Sequence, residues 1–249
     1  MPDGTNGRII ENGRGHAFEL GTGQYGYGRD YLLGQAPLAP VIERVHHRLG
    51  QISGDGVVLD LGCGVGRFAE GANGFRHYPI IGIDLNPTAV QEYQSKIAQH
   101  GWPDEAHVGN ITDLRIVGDR RVKAAVSWRV LHALPTEVQP LALQEARRVL
   151  PEGTPLFVAV ASNQDWKAKE LKARGEFKGV GQNNCQEVMK LDEPFWVEFF
   201  PEARLRRLAL QTGFNVAETE IFTEPSGYRH LRETRPDNTY LFAQLIRRA

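Results

Sequence analysis

Short apolar runs rich in β-branched residues alternate with amphipathic segments along residues 56–162. Runs of this length read as buried strands, whereas apolar residues three and four apart between them indicate helices. Because strands that alternate with helices form a parallel sheet covered on both faces, the pattern predicts an α/β fold with a doubly wound sheet. The predicted strands are "GVVLDL" (56–61), "YPIIGIDL" (78–85), "EAHVGNI" (105–111), "VKAAVSW" (122–128) and "TPLFVAVAS" (154–162).

Three helices are predicted around these strands. "PLAPVIERVHHRLGQ" (37–51) has helical apolar spacing that ends at Gly50. "NPTAVQEYQSKIAQHG" (86–101) opens with Asn86 as N-cap and closes on Gly101. An amphipathic helix lies between residues 135 and 150.

The two flanks of this region differ from it in composition. Seven glycines between residues 13 and 34 do not favour regular structure, so we predict an N-terminal arm or lid over 1–36 and a domain over 37–249. The polar segment after the fifth strand predicts an inserted cap at about 163–198. A helix (201–214) and two antiparallel strands (215–222 and 239–248) follow.

Composition excludes several classes of protein. The chain has 249 residues, contains no apolar stretch long enough for a membrane span and shows no secretion signal pattern, so we expect one cytoplasmic domain and no membrane partner. Two cysteines without zinc spacing predict no metal. The net charge of -1 offers no field for a nucleic-acid partner, and we interpret "ARLRRL" (203–208) as a solvated helix face.

A glycine-rich turn follows the first buried strand, in "VVLDLGCGVGRF" (57–68). Such a turn lets a ligand approach the backbone at the carboxyl end of a parallel sheet. Gly62, Gly64 and Gly66 form G-x-G-x-G, whereas a dinucleotide fingerprint would place its third glycine at Arg67. The spacing therefore argues against a nicotinamide oxidoreductase.

Two aspartates suggest what the turn binds instead. Asp60 would repel a pyrophosphate and attract an ammonium group. Asp84, at the end of the second strand, can accept hydrogen bonds from two ribose hydroxyls. The pair favours a nucleoside with a positively charged tail.

These residues resemble the motifs of class I S-adenosylmethionine-dependent methyltransferases of small molecules. "VVLDLGCGVGRF" followed by "IIGIDLNPTAV" is similar to the first two motifs of that family, and "VGNITDL" and "AAVSWRVLHALP" to the next two. "EARRVLPEGTPLFVAV" matches the following helix and strand, so the resemblance covers about 40–162, with a looser continuation over 199–222. It implies a Rossmann-like sheet of seven strands, one of them antiparallel.

The resemblance also implies site residues. Asp60, Cys63 and the three loop glycines would meet the methionine part of S-adenosylmethionine, Asp84 the ribose, and Leu85 and Ile111 the adenine. Asn110 stands where the family often has aspartate, and its amide oxygen could accept from the adenine amino group. Ser127 would lie between cofactor and acceptor, and Tyr25, Tyr27 and Arg29 would close over the cofactor. S-adenosylhomocysteine would be the product.

The implied reaction moves a methyl group to an oxygen, nitrogen, sulfur or carbon nucleophile of a small organic acceptor. If a base is needed, His132 is the candidate, since its ordinary pKa suits proton transfer near neutral pH. Trp128, Arg129, His132 and Trp196 are predicted to contact the acceptor; for Arg129 a salt bridge within the fold is the competing interpretation. We interpret Cys63 as filling the loop rather than as a nucleophile.

Two alternatives stay open. The acceptor could be a tRNA or a protein, although Asp165, Glu170 and Glu176 offset the lysines of the inserted segment. The chain could also be a non-catalytic module that binds S-adenosylmethionine and regulates or scaffolds a partner. The sequence does not identify the acceptor and leaves open a monomer or a homodimer.

Overall fold

A computed structural model describes residues 7–12, 15–20, 40–72, 78–118, 120–173, 185–190, 193–224 and 237–249; in 7–20 and 185–196 it describes the backbone alone. A seven-stranded sheet forms its centre, in the order β10-β11-β7-β6-β3-β4-β5. Its strands are β3 Val57–Leu61, β4 Ile80–Asp84, β5 Glu105–Val108, β6 Val122–Trp128, β7 Pro155–Ala161, β10 Phe214–Glu224 and β11 Asn238–Arg247.

Six of these strands are parallel, and β11 is antiparallel to both of its neighbours, β7 and β10. The doubly wound sheet and the reversed strand are therefore confirmed. From β3 the chain adds β4 and β5 on one side of the sheet and then β6 and β7 on the other side. The point at which the winding reverses therefore lies between β3 and β6. Ligands bind in open α/β sheets at the carboxyl ends of the strands beside such a point.

Helices pack on both faces of the sheet, because successive residues of each buried strand point to opposite sides. Val58 joins one apolar cluster, with residues of α1, whereas Leu59 joins the other, with residues of α4 and α6. The helices are α1 Pro40–Gln51, α2 Arg67–Glu70, α3 Pro87–His100, α4 Gln139–Val149, α5 Trp166–Ala173 and α6 Glu202–Gln211. None of the helices in the described ranges is long and apolar enough to cross a membrane.

The ends predicted for α3 are confirmed. The Asn86 side chain accepts hydrogen bonds from the backbone N–H groups of Thr88 and Ala89, and Gly101 ends the helix at φ 62°. A cap of this kind satisfies two of the four N–H groups that a helix start leaves without a partner. The cap also fixes where the chain leaves β4, directly beside Asp84.

The N-terminal segment corrects one prediction. Residues Gly7–Asn12 (β1) and Gly15–Leu20 (β2) form an antiparallel pair, so part of the arm predicted to lack regular structure is a hairpin. The prediction relied on the number of glycines, which disfavours an isolated strand. Pairing between two short strands stabilises both of them in spite of it. Gly13, the first of the two residues between the paired Asn12 and Gly15, could have indicated it, because glycine at that position is typical of a hairpin turn.

The inserted segment contains α5 and a second antiparallel pair, β8 Cys185–Lys190 with β9 Glu193–Glu198. Strand β9 packs against the short 3-10 turn Leu131–Ala133 that follows β6. Glu198 at its end forms a buried ion pair with Arg204 of α6, and Gln139 bonds both side chains. The segment is thereby fixed to the body beside the end of β6. The interpretation of "ARLRRL" as a solvated face is wrong for Arg204, which is 7% exposed.

Candidate functional site

A cavity opens at the carboxyl edge of the sheet. Residues at or just after the ends of four parallel strands line it: Asp60 on β3, Asp84 on β4, Trp128 on β6 and Glu224 on β10. Counted out into open solvent, its empty space is about 1360 Å³, and the centres of water molecules could occupy about 160 Å³ of it. The cavity is therefore open to solvent.

The glycine turn after β3 forms one wall of the cavity, and packing within the protein explains two of its glycines. A Cβ on Gly62 would lie 2.3 Å from Cγ2 of Val130, and one on Gly66 would lie 2.3 Å from the ring of Tyr93; both residues have φ near +80°. Gly64 differs, because no atom lies within 4 Å of the place where its Cβ would be. The loop is therefore packed tightly against the fold at both ends and open to the cavity in the middle.

Asp60 has a carboxylate that is fully buried and lines the cavity. Neither of its oxygens has a hydrogen-bond partner among the described residues. Burial first, and then the charges of Asp84 and Asp104, raise its pKa from 3.8 to about 8. A buried acid with no partner is costly in an isolated fold, so its position favours a ligand with a cationic or donor group.

Asp84 has two structural hydrogen bonds and spare capacity. Its Oδ2 accepts from the Gly64 N–H at 2.9 Å, and its Oδ1 accepts from the Asn86 N–H at 2.9 Å. Burial raises its pKa, although these backbone bonds oppose the shift. A carboxylate has about four lone-pair sites, so acceptor capacity remains for a ligand hydroxyl.

Leu85, Cys63, Asn110 and Ile111 also line the cavity, as the sequence predicts for residues that meet one ligand. The Oδ1 of Asn110 accepts hydrogen bonds from both N and Oγ1 of Thr112, so both of its lone pairs are engaged within the loop. The Cys63 thiol is buried, and burial raises its pKa well above the ordinary value. Since the thiolate is the nucleophile, the thiol is unreactive in this setting.

Arg129 follows β6 and lies on the cavity wall with Trp128. Its φ of 64° makes it the only positive-φ residue other than glycine among those described. Its guanidinium forms an ion pair with Glu224 at 3.2 Å and lies 4.8 Å from the centre of the Tyr240 ring. The salt bridge within the fold, the competing interpretation of Arg129, is the arrangement found.

Glu224 is a cavity residue that sequence reasoning missed. It lies two residues beyond the end predicted for its strand, and the sequence pattern did not reveal that β10 runs parallel to β6. Had the strand been extended, the rule that places ligands at carboxyl ends would have identified it. Phe68 and Ile42 were missed as well, since each reads as an ordinary core residue of a helix.

His132 and Ser127 are not among the residues that line this cavity. The His132 ring is buried 6.4 Å from that of Tyr240, and its Nδ1 has no hydrogen-bond partner among the described residues. Burial, followed by the charges of Arg129 and Lys167, lowers its pKa to about 3. Ser127 is buried within β6. The structure therefore does not bring the predicted base to the cavity.

Four further predicted residues cannot be located against the cavity. Tyr25 and Arg29, like Tyr27 between them, lie outside the described residues. Trp196 belongs to β9, but only its backbone is described. The arm and the cap stay predictions as parts of the site.

Comparisons with known proteins agree with this fold. Residues 58–153, from β3 to just beyond α4, match the sequence family described as "Methyltransferase domain". A curated protein-lysine N-methyltransferase of Saccharolobus islandicus is 27% identical over 141 residues, which cover 54% of this chain and 83% of that protein.

Solved structures show the same architecture. A SAM-dependent methyltransferase from Methanosarcina mazei superposes with a TM-score of 0.68 at 19% identity, covering 85% of this chain and 98% of that one. The 1,6-didemethyltoxoflavin N1-methyltransferase of Burkholderia thailandensis, solved with 1,6-didemethyltoxoflavin and S-adenosylhomocysteine, gives 0.60 at 16% identity, covering 84% and 77%.

The protein has a Rossmann-like sheet with one reversed strand and a glycine turn after the central strand, and it matches a methyltransferase domain. Together these features define a group-transfer enzyme. The matched domain, the curated relative and the solved structures together support a class I S-adenosylmethionine-dependent methyltransferase, with S-adenosylmethionine as its cofactor. The acceptor is the part of the function that these comparisons leave open.

Proposed function

We propose that the protein transfers the methyl group of S-adenosylmethionine to a small organic acceptor bound in the same cavity. The observation that carries the proposal is the buried Asp60 carboxylate, which lines the cavity and has no hydrogen-bond partner among the described residues. A cofactor with an ammonium group compensates such a carboxylate, and the remaining space serves the acceptor.

The residues present fit this cofactor at several points. Asp60 would pair with its ammonium group, the open face of Gly64 would admit the methionine chain, and Asp84 would bind the ribose hydroxyls. Leu85 and Ile111 would cover the adenine. Asn110 would contact the base through its amide group, because its carbonyl oxygen is engaged by Thr112. When bound, S-adenosylmethionine supplies an electrophilic methyl group on a sulfonium centre.

The other end of the cavity would receive the acceptor. Ile42, Phe68 and Trp128 give it apolar walls, and Arg129 with Glu224 gives it one polar side. The predicted arm (1–36) and cap (about 163–198) would close over the two ligands and exclude water, with Tyr25, Arg29 and Trp196 as the contacting side chains. Positioning of two ligands in such an enclosed site can supply much of the rate.

Calorimetric titration tests the cofactor part of the proposal. Wild type should bind S-adenosylmethionine and S-adenosylhomocysteine but not NAD. Asp84→Asn keeps the shape of the side chain and removes its charge, so affinity for both nucleosides should fall ~10-fold to 100-fold, the range expected for a charged hydrogen bond. Asp55→Asn, the same change at an exposed residue before β3, should have no effect. Binding of NAD, or equal affinities in the two variants, would contradict the proposed site.

A protein acceptor is the second candidate, supported by the similarity to a protein-lysine methyltransferase. Of the lysines of α5, Lys167 donates to Asn238 and lies over the Trp166 ring, whereas Lys169 and Lys172 are exposed. Incubation with labelled S-adenosylmethionine and either a cell-derived protein fraction, a tRNA fraction or a small-molecule fraction distinguishes the candidates. Label found in protein or tRNA, with none in small molecules, would contradict the proposal.

A further inference from the structure

We infer that Glu224 is a catalytic residue that accepts the proton of an O–H or N–H nucleophile on a planar aromatic acceptor, with Arg129 as its positioning residue. The inference rests on the proposed function and deepens it, since it assigns a chemical class to the acceptor. Phenols and aryl amines are members of that class.

The position of Glu224 is the first argument. It is 8% exposed, lies on the cavity wall, and stands at the carboxyl end of a strand parallel to β3 and β4, which carry the cofactor aspartates. Asp60 and Asp84 would be occupied by the cofactor. Among the described residues that line the cavity, Glu224 is then the remaining side chain able to take a proton as a carboxylate.

The conformation of Arg129 is the second argument. Its guanidinium meets Glu224 of β10, although β7 and β11 lie between β6 and β10 in the sheet. The backbone holds the positive φ through a 2.8 Å hydrogen bond from the Arg129 N–H to the Ala159 carbonyl. Left-handed conformations of ordinary residues cost energy and gather at functional sites. The strained backbone of Arg129 thus positions the guanidinium that holds the Glu224 carboxylate at the cavity wall.

The aromatic surroundings are the third argument. Trp128 on the cavity wall lies between Phe68, at 6.4 Å between ring centres, and Phe222, at 5.6 Å. The Phe222 ring in turn stacks on the Tyr240 ring, with 5.5 Å between ring centres, and the Arg129 guanidinium lies over the Tyr240 ring. A planar ring packs on such a surface with offset or tilted contacts, as aromatic pairs prefer. Its substituent would then point toward Glu224.

Charge excludes the competing classes of acceptor. The lining residues include the carboxyls of Asp60, Asp84 and Glu224, and Arg129 is already paired with Glu224, so an acceptor carboxylate would meet repulsion. A thiol gains little from a carboxylate base, since it ionises readily without one.

The transfer balances in atoms and charge. The O–H or N–H bond of the acceptor breaks, and its proton goes to a Glu224 oxygen. An electron pair of the acceptor atom forms the new bond to the methyl carbon, while the carbon–sulfur bond breaks and its pair stays on sulfur. A sulfonium cation and a carboxylate anion thus both become neutral, and Glu224 later loses the proton to solvent.

The test compares Glu224→Gln with Glu220→Gln. Glu220 lies on the same strand, but its partner is Arg44 on the surface, so its variant is the matched control. Probes are phenol, aniline, thiophenol, benzoate and a lysine peptide, with transfer of a deuterated methyl group read by mass spectrometry. Binding of phenol to the enzyme saturated with S-adenosylhomocysteine, measured by calorimetry, gives a readout that does not depend on turnover.

Wild type should methylate phenol or aniline, and with phenol the more acidic nitrophenol, but not thiophenol, benzoate or the lysine peptide. Glu224→Gln should lower kcat for phenol by ~100-fold or more, the range for a general base. Its KM for S-adenosylmethionine should stay within a factor of about two, and the loss should shrink for nitrophenol near pH 8, where the acceptor is already ionised. Arg129→Lys should lower kcat by about tenfold, because a displaced carboxylate accepts the proton less well.

Three results would overturn the inference. They are no transfer to phenol or aniline, a Glu224→Gln enzyme with kcat within threefold of wild type, or an equal loss of kcat for phenol and nitrophenol, which would indicate a structural role. If Glu224→Gln does not fold, Arg129→Lys and the calorimetric phenol binding decide instead. Binding of S-adenosylmethionine in the same preparation separates these failures from failure of the proposed function.

Discussion

Affinity for S-adenosylmethionine should rise with pH, because Asp60 must lose a proton to meet the ammonium group. The buried carboxyl has a pKa of about 8 in the protein without ligand. It is therefore mostly protonated at neutral pH, and a cationic partner favours the charged form. Binding then releases close to one proton.

The magnitude follows from linkage. With a pKa of about 8, the protonated form competes with binding by a factor of about 100 at pH 6 and about 10 at pH 7. The dissociation constant should accordingly fall about ninefold between these pH values, equivalent to about 1.3 kcal/mol.

Isothermal titration in buffers of different ionisation enthalpy measures both the affinity and the protons released. Asp60→Asn should bind more weakly and show no such release, while Asp55→Asn should behave as wild type. A wild-type affinity that does not change over this pH range, or an equal slope in Asp60→Asn, would refute the pairing of Asp60 with the ammonium group.

The stability of the unliganded protein should change in the opposite direction. Unfolded Asp60 ionises near 3.8, whereas the folded carboxyl holds its proton up to about pH 8. Folding therefore takes up a proton between about pH 4 and pH 8. The free energy of unfolding should fall by about 1.4 kcal/mol for each pH unit as pH rises through this window. Thermal unfolding without cofactor should show this trend in wild type and not in Asp60→Asn.

Three further substitutions test the packing around the site by urea unfolding. Gly66→Ala should lower stability by about 2 kcal/mol or more, since its Cβ would enter the Tyr93 ring in a left-handed conformation; an unchanged midpoint would contradict the close approach of Gly66 to that ring. Arg204→Leu should cost about 3–5 kcal/mol by leaving Glu198 buried without its ion-pair partner, and a neutral result would show that water reaches that carboxylate. Asn86→Ala should cost about 1 kcal/mol through loss of the α3 cap.

Local sequence signals predicted most of the regular structure. The bounds of β6 agree with the predicted 122–128, and α3 begins and ends at its predicted caps. These elements succeed because a buried strand and a capped helix each depend on residues that are neighbours along the chain. The prediction missed the hairpin β1–β2, because the stability of that hairpin comes from strand pairing rather than from composition.

The cofactor end of the site was predictable for a related reason. Asp60, Asp84 and the glycine turn lie at the ends of strands adjacent in the sheet, so strand prediction alone brings them to one edge. Their roles toward the cofactor stay predictions until the titrations are done.

The acceptor end was decided by the tertiary structure. Arg129 and Glu224 are 95 residues apart, and their meeting depends on the strand order β6-β7-β11-β10, which no local pattern contains, although the short connection did predict that β10 and β11 are antiparallel. His132 has a suitable ordinary pKa, but burial lowers its pKa to about 3, and it is not among the residues that line the cavity. The sequence by itself determined the elements and the cofactor edge, because both follow from short-range spacing. Burial and long-range pairing, which only the folded chain fixes, decided which charged groups face the acceptor.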